Sequence, residues 1–315
     1  VSRAYWSPDD PIGHRSFTGI GALDLEVGGK LTDIQIAYET WGNFTGGNAV
    51  LVEHALTGDA HVVGPAGAGH RTPGWWDGLV GPGRPLDTER YFVVASNVLG
   101  GCQGSTGPSS PAPDGLPYGS RFGPITVRDQ VSAEIALADQ LGIAAWELVV
   151  GGSMGGMRAL EWAVTAPDRV GRLALVASNA AATAEQIALC TVQLQAIRSD
   201  PSWLGGDYYA ARVVPAAGLG IARRIAHISY RSEYELGQRF GRQSQAAFDP
   251  GAREDLFAVA SYLDHQADKL VGRFDAGSYV VLTEAMNAYD IGRGRGGVQA
   301  ALAHVSADTL VVAVD

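Results

Sequence analysis

Cysteine is nearly absent: only Cys102 and Cys190 occur in 315 residues. A disulfide framework is therefore excluded, and no ligand spacing suggests zinc, so no metal is expected. Two reduced thiols fit a cytoplasmic protein. Positive charge is also scarce, with 23 Lys and Arg against 33 Asp and Glu and a net charge of −10. A general nucleic-acid surface needs a basic face, so no nucleic-acid partner is expected, although a few local arginines suffice for a small anion. No apolar run approaches the length of a membrane span, so no membrane partner is expected either. The N-terminus, Val1-Ser2-Arg3, has no signal-peptide pattern and no Met, which suggests a trimmed or processed end.

What is present is an alternation of strand-like and helical patterns. Residues 31–40 place Ile34, Ile36 and Tyr38 on one face of a half-buried strand. Gly28-Gly29, after the run Leu23 to Val27, suggests a hairpin leading into it. Short β-branched runs at 49–52, 91–95, 148–150, 173–177 and 310–314 read as buried parallel strands. Thr126 followed by Asp129 has capping-box spacing, and Val131, Ile135, Ala138 and Leu141 then share a helical face. A second helix is expected over 154–165, stopped near Pro167. Strands alternating with such helices imply a mostly parallel sheet with helices on both faces. Residues 180–295 are helical in period and lack a clear strand. The expected organisation is a core over 1–179, an inserted helical lid over 180–295 and a return to the core over 296–315.

The strongest chemical signal is Gly151-Gly152-Ser153-Met154-Gly155, a G-x-S-x-G motif. An apolar strand leads in and an amphipathic helix leads out, the context of a nucleophile elbow, and this makes Ser153 the candidate nucleophile of an α/β-hydrolase fold. The other reading is a glycine-rich turn with an idle serine. A serine attacking an acyl carbon needs an oxyanion hole. One donor is expected from the N–H of Met154, the other from the loop after an early strand. The segment 51–61 (LVEHALTGDAH) fits that loop, with Leu56 N–H as donor, though it also reads as an ordinary strand-to-loop turn. The fold's chain order puts the acid and then the base after the nucleophile. The seven histidines stand at 14, 54, 61, 70, 227, 265 and 304. None follows the last strand, and a lone histidine is more often structural than catalytic. The acid and the histidine are therefore expected beyond Asp315. The stretch 96–110 lacks the G-K-[ST] of a phosphate loop, GRGRGG at 292–297 follows no strand, and Arg223-Arg224 reads as a solvated helix face.

YETWG (38–42), HALTGDAHVVG (54–64), GWWDGLVGPG (74–83), DTERYFVVASNVLGGCQGSTGPSS (87–110), ITVRD (125–129), GGSMGGMRALEW (151–162) and YLDHQADKLVGRFDAGSY (262–279) together resemble homoserine O-acetyltransferase. The resemblance runs from about residue 15 to the end. It implies an α/β hydrolase with a helical lid, dimeric through that lid, with acetyl-CoA as donor substrate and L-homoserine as acceptor in methionine biosynthesis. No bound cofactor is implied. Residue by residue, it assigns the nucleophile to Ser153 and the oxyanion donors to Leu56 and Met154. It also assigns the substrate carboxylate to Arg223, with Tyr230 nearby. Asp315 matches the first Asp of the family's V-D-S-D segment, whose second Asp is the catalytic acid. Other expectations are a homoserine O-succinyltransferase or serine O-acyltransferase of the same family, a serine esterase of the same fold, and a non-enzymatic binding module.

Overall fold

A computed structural model describes residues 3–244 and 257–314; Asp315 lies outside them. By Cα proximity the chain forms two units. One is Ala184–Ala276 with the first residues of the chain; the other is Tyr5–Thr183 with the segment from Gly277 onward. The sequence led to a helical segment over 180–295.

The larger unit is built on a seven-stranded sheet. Its strands are β1 (Ser16–Asp24), β2 (Lys30–Trp41), β3 (Ala49–Glu53), β4 (Phe92–Ser96), β5 (Leu148–Gly152), β6 (Arg172–Val176) and β7 (Asp308–Val312), in the order β1-β2-β4-β3-β5-β6-β7. The pairs β1–β2 and β2–β4 are antiparallel; the run β4-β3-β5-β6-β7 is parallel. A parallel strand covered on both faces must be apolar on both, and all five residues of β3 are buried. β2 alternates instead, burying Ile34 and Ile36 while Thr32 and Gln35 face out. The hairpin turn uses Gly28 and Gly29 at φ +92° and +89°, values that suit glycine. The strand entering that turn is Ser16–Asp24, not the run Leu23–Val27, whose distal half makes the turn itself.

Val50, Val52, Val93, Ala95 and Val150 pack with Val62, Val80 and Leu86 in one cluster; Ile34, Ile36, Leu99, Phe122, Ile125, Ala133 and Leu137 form another. Full burial of each such valine or leucine contributes about 1.5–3 kcal/mol. β7 departs from expectation. It is parallel to β6 as expected, but all five of its residues are exposed among the described residues.

Two helices of this unit bear on the site. α1 (Val127–Gln140) starts with the expected capping box, Thr126 with Asp129. α2 (Met154–Thr165) begins immediately after Ser153.

The helical unit comprises α3 (Ala184–Arg198), α4 (Tyr208–Ala211), α5 (Ala216–Ser229), α6 (Glu233–Phe240) and α7 (Ala258–Val271). α5 lies between α3 and α7 and buries Gly218, Leu219, Ala222 and Ala226. Gly218 is required there, because a Cβ would fall on the backbone of Ala196 and Ile197. The remaining helices are α8 (Ala276–Asn287), at whose first residue the unit boundary falls, and α9 (Val298–Leu302).

Candidate active site

Ser153 sits between the end of β5 and the start of α2 with φ 54° and ψ −121°. A side chain at positive φ is strained, and such strain persists only where the surroundings enforce it. Here the Ser153 N–H donates to Val176 O at 2.9 Å, and Ser153 O accepts from Met157 N–H at 3.1 Å and Ser178 Oγ at 2.8 Å. The flanking glycines are steric necessities. A Cβ on Gly151 would strike the carbonyl of Gly155, and one on Gly155 would strike the carbonyl of Glu53. Within this unit Ser153 Oγ has no hydrogen-bond partner among the described residues.

Gly155 brings the first turn of α2 against the end of β3, where the loop bearing Leu56 begins. Met154 is fully buried and Leu56 is buried. Among the described residues neither backbone N–H has a hydrogen-bond partner. The first N–H groups of a helix have no intrahelical acceptor and carry the positive end of the helix dipole. Two unpaired donors on neighbouring backbone segments suit a developing negative charge.

Beneath this corner lies Arg158, one turn along α2 and fully buried. Its Nη1 donates to Glu134 Oε1 at 2.7 Å and its Nη2 to His54 O at 2.9 Å, while Nε lies 2.9 Å from Glu53 Oε2. Glu134 also accepts from Ser96 Oγ and Trp162 Nε1, each at 3.0 Å. Burial raises the Glu53 pKa well above the carboxylate range; Arg158 opposes this and Glu134 adds to it. Sequence reading missed this network, although a charged residue amid the apolar helix MGGMRALEW was a legible signal.

The histidines divide by environment. His54 is buried, with Nδ1 on Ala55 O at 2.8 Å and Nε2 on Val98 N at 3.1 Å. Burial, helped by the Arg158 charge and opposed by the bond to Ala55, lowers its pKa to about 3. Both nitrogens are engaged, so His54 is not the base for Ser153. His61, His70 and Glu39 form a second buried group, whose possible ligand atoms lie within 4.8 Å of one another. His61 Nδ1 is 2.9 Å from Glu39 Oε2, and His70 Nε2 accepts from His14 N–H at 3.0 Å. The His61 and His70 rings are stacked, with centroids 3.8 Å apart and planes at 15°. One ion cannot lie in both planes of such a stack, so this hydrogen-bonded cluster would have to rearrange to chelate a metal. Burial disfavours charge on His61, but the bond to Glu39 and the charges of Glu39 and Asp59 outweigh it and raise its pKa. His70 is lowered to about 3 by burial first, then by Arg15, His61 and His14.

In the helical unit Arg223 is half-buried on α5, and its buried Nε has no partner among the described residues. Its neighbour Arg224 pairs with Asp264 at 2.6 Å. Tyr230 caps the C-terminus of α5 and is 61% exposed, its ring centroid 5.7 Å from that of His227.

Residues 48–315 match the family model described as alpha/beta hydrolase fold. A homoserine O-acetyltransferase of Thermobifida fusca is 62% identical over 313 residues, covering 98% of this chain and 82% of that protein. The crystal structure of a homoserine O-acetyltransferase from Bacillus anthracis superposes with a TM-score of 0.86 at 28% identity, over 95% of this chain and 82% of that one. An acetylester hydrolase from Corynebacterium glutamicum superposes at 0.78 with 28% identity, over 96% and 82%.

Proposed function

This chain belongs to the homoserine O-acetyltransferases of the α/β-hydrolase fold, and from that membership we propose that it moves an acetyl group from acetyl-CoA to the hydroxyl of L-homoserine through an acetyl-Ser153 intermediate. The observation that carries the proposal is the strained elbow: Ser153 at positive φ beside two unpaired backbone N–H groups.

In the first step Ser153 Oγ attacks the thioester carbonyl and gives up its proton to a general base. Leu56 and Met154 N–H groups hold the oxyanion. The C–S bond then breaks, and CoA leaves as the thiol with that proton. In the second step the homoserine hydroxyl, deprotonated in turn, attacks the acetyl-serine carbonyl. The ester forms, and the proton returns to Ser153. By resemblance the base is a histidine following the last strand, and no residue of this sequence is assigned to it.

Arg223 pairs with the homoserine carboxylate and Tyr230 lies beside the same substrate; a bidentate arginine pair orients as well as attracts. The absence of a partner for Arg223 Nε among the described residues supports this role. The chemistry needs no bound cofactor or metal, and kinetics of the ping-pong type follow from the covalent intermediate. Homoserine acetylation fits a cytoplasmic role in methionine biosynthesis, and dimerisation through the helical unit completes the reading.

The test is to mix the protein with acetyl-CoA alone, seek an acetyl adduct on the Ser153 peptide by mass spectrometry, then add homoserine. Loss of the adduct with formation of O-acetylhomoserine is expected. A ternary-complex rate law without an adduct would defeat the proposal. The likeness to an acetylester hydrolase favours one rival, discharge of the acyl-serine to water. Acetate release at the same rate with and without homoserine would establish it. Succinyl-CoA as donor and L-serine as acceptor are the remaining comparisons in the same assay.

A further inference from the structure

A trans peptide points its C=O and its N–H in opposite directions, so whatever holds the Ala55 carbonyl also aims the Leu56 N–H. No described peptide is cis. Ala55 O is held twice, by Gly58 N–H at 2.8 Å and by His54 Nδ1 at 2.8 Å. We propose that His54 is a positioning residue of the oxyanion hole: its imidazole clamps the 55–56 peptide so that the Leu56 N–H faces away from the ring, free to receive the oxyanion. This rests on the acyl-serine reading above.

The clamp admits one tautomer. Ala55 O can only accept, so Nδ1 carries the proton; Val98 N–H can only donate, so Nε2 is bare. A second proton, on Nε2, would face the Val98 N–H. Burial and the adjacent Arg158 guanidinium keep the ring neutral, with a pKa of about 3. The mounting is rigid as well. His54 O accepts from Arg158 Nη2 at 2.9 Å, and Arg158 rises from α2, the helix whose first residue is Met154. Both oxyanion donors are thereby referred to one scaffold. A histidine before the elbow that is useless as a base becomes intelligible as a strut.

Two substitutions separate the ring's two bonds. His54→Asn keeps an N–H donor near the Nδ1 position and loses the acceptor for Val98; His54→Gln does the reverse. Both half-reactions pass through an oxyanion. His54→Gln should therefore slow acylation and deacylation alike, by about 10²-fold, with both KM values changed by less than about twofold. His54→Asn should recover about tenfold of that loss. A His54→Gln rate within about twofold of the unaltered enzyme would overturn the proposal, as would a loss confined to KM or equal losses in the two variants. Should neither variant fold, the unaltered protein still decides. Its imidazole ¹⁵N spectrum should show His54 as the Nδ1–H tautomer, with no titration from about pH 8 to about pH 5. An Nε2–H tautomer or a midpoint near the ordinary histidine value would overturn the clamp. Failure of the unaltered enzyme to form acetyl-Ser153 would instead defeat the underlying reaction, which tells the two failures apart.

Discussion

The two units surround their arginines differently: Arg158 has two carboxylates against it, and Arg223 has none among the described residues. In the sheet unit each Arg158 side-chain nitrogen lies within 2.9 Å of an oxygen. In the helical unit Arg223 keeps a buried Nε without a partner among the described residues, while Arg224 one residue on is paired with Asp264. Buried polar groups in proteins are nearly always satisfied, and each exception needs an explanation. Arg158, whose Nη1 and Nη2 donate and whose Nε makes an ion-pair contact without a hydrogen bond, is a bracket that holds backbone in place. Arg223, with no carboxylate against it among the described residues and beside a neighbour whose partner is supplied, suits the proposed role of pairing with a substrate carboxylate. The contrast separates the part of the molecule that shapes the proposed nucleophile from the part proposed to grip the acceptor.

The largest effect is expected from Ser153→Ala. It should lower acetyl transfer by about 10⁴-fold or more and leave the unfolding midpoint unchanged, because the hydroxyl has no hydrogen bond among the described residues of its unit. Near-normal turnover in a preparation free of contaminating enzyme would remove Ser153 from the mechanism.

Arg158→Met sharpens the contrast from the scaffold side. It leaves Glu134 a buried charge without its cation, and breaking such a pair costs about 3–5 kcal/mol. Urea unfolding at neutral pH measures this; a loss below about 1 kcal/mol would mean that the network is no bracket.

Arg223→Ala should behave the other way, with little change in stability and a loss of about 2–4 kcal/mol in the deacylation step with homoserine. Single-turnover measurement of each half-reaction provides the check. Lysine should restore little, lacking the planar fork. Arg224→Ala is the matched control, since its partly exposed pair should be worth less than about 1 kcal/mol. Equal losses in both half-reactions, or equal effects at 223 and 224, would dissolve the distinction.

The last effect is graded, small over any few tenths of a pH unit, and concerns pH. His54 and His70 have folded pKa values of about 3, against an unfolded value near 6.5. Below that unfolded value the unfolded chain binds protons that the folded chain does not. Their contribution to stability is therefore complete above it and is lost as pH falls toward the folded values. The limiting slope is about 1.4 kcal/mol per pH unit for each group. His61, whose pKa is raised, acts oppositely: its contribution is complete below the unfolded value and is lost as pH rises through the folded one. Denaturation midpoints should fall from about pH 6.5 to about pH 4.5, less steeply in His54→Asn. A flat profile would show that these rings titrate in the folded protein.

Much was determined by the sequence alone, because it is local. Periodicity and capping marked α1, with its Thr126–Asp129 box, and α2 to the residue. The G-x-S-x-G spacing marked the elbow, because only glycine lets backbone pass so close on either side of Ser153. Tertiary structure decided what depends on neighbours distant in sequence. The apolar run of β7 marked a strand, but what packs against a strand is a matter of neighbours that composition does not report. His54 read as one more histidine ahead of the elbow, more often structural than catalytic; its partners Ala55 O and Val98 N–H, brought together across the ends of β3 and β4, leave it one tautomer and no free nitrogen. Arg223 and Arg224 are adjacent and alike in sequence. Only the packing of α7 against α5 supplies Asp264 to the second, and an ion pair forms only where the fold brings both charges within reach.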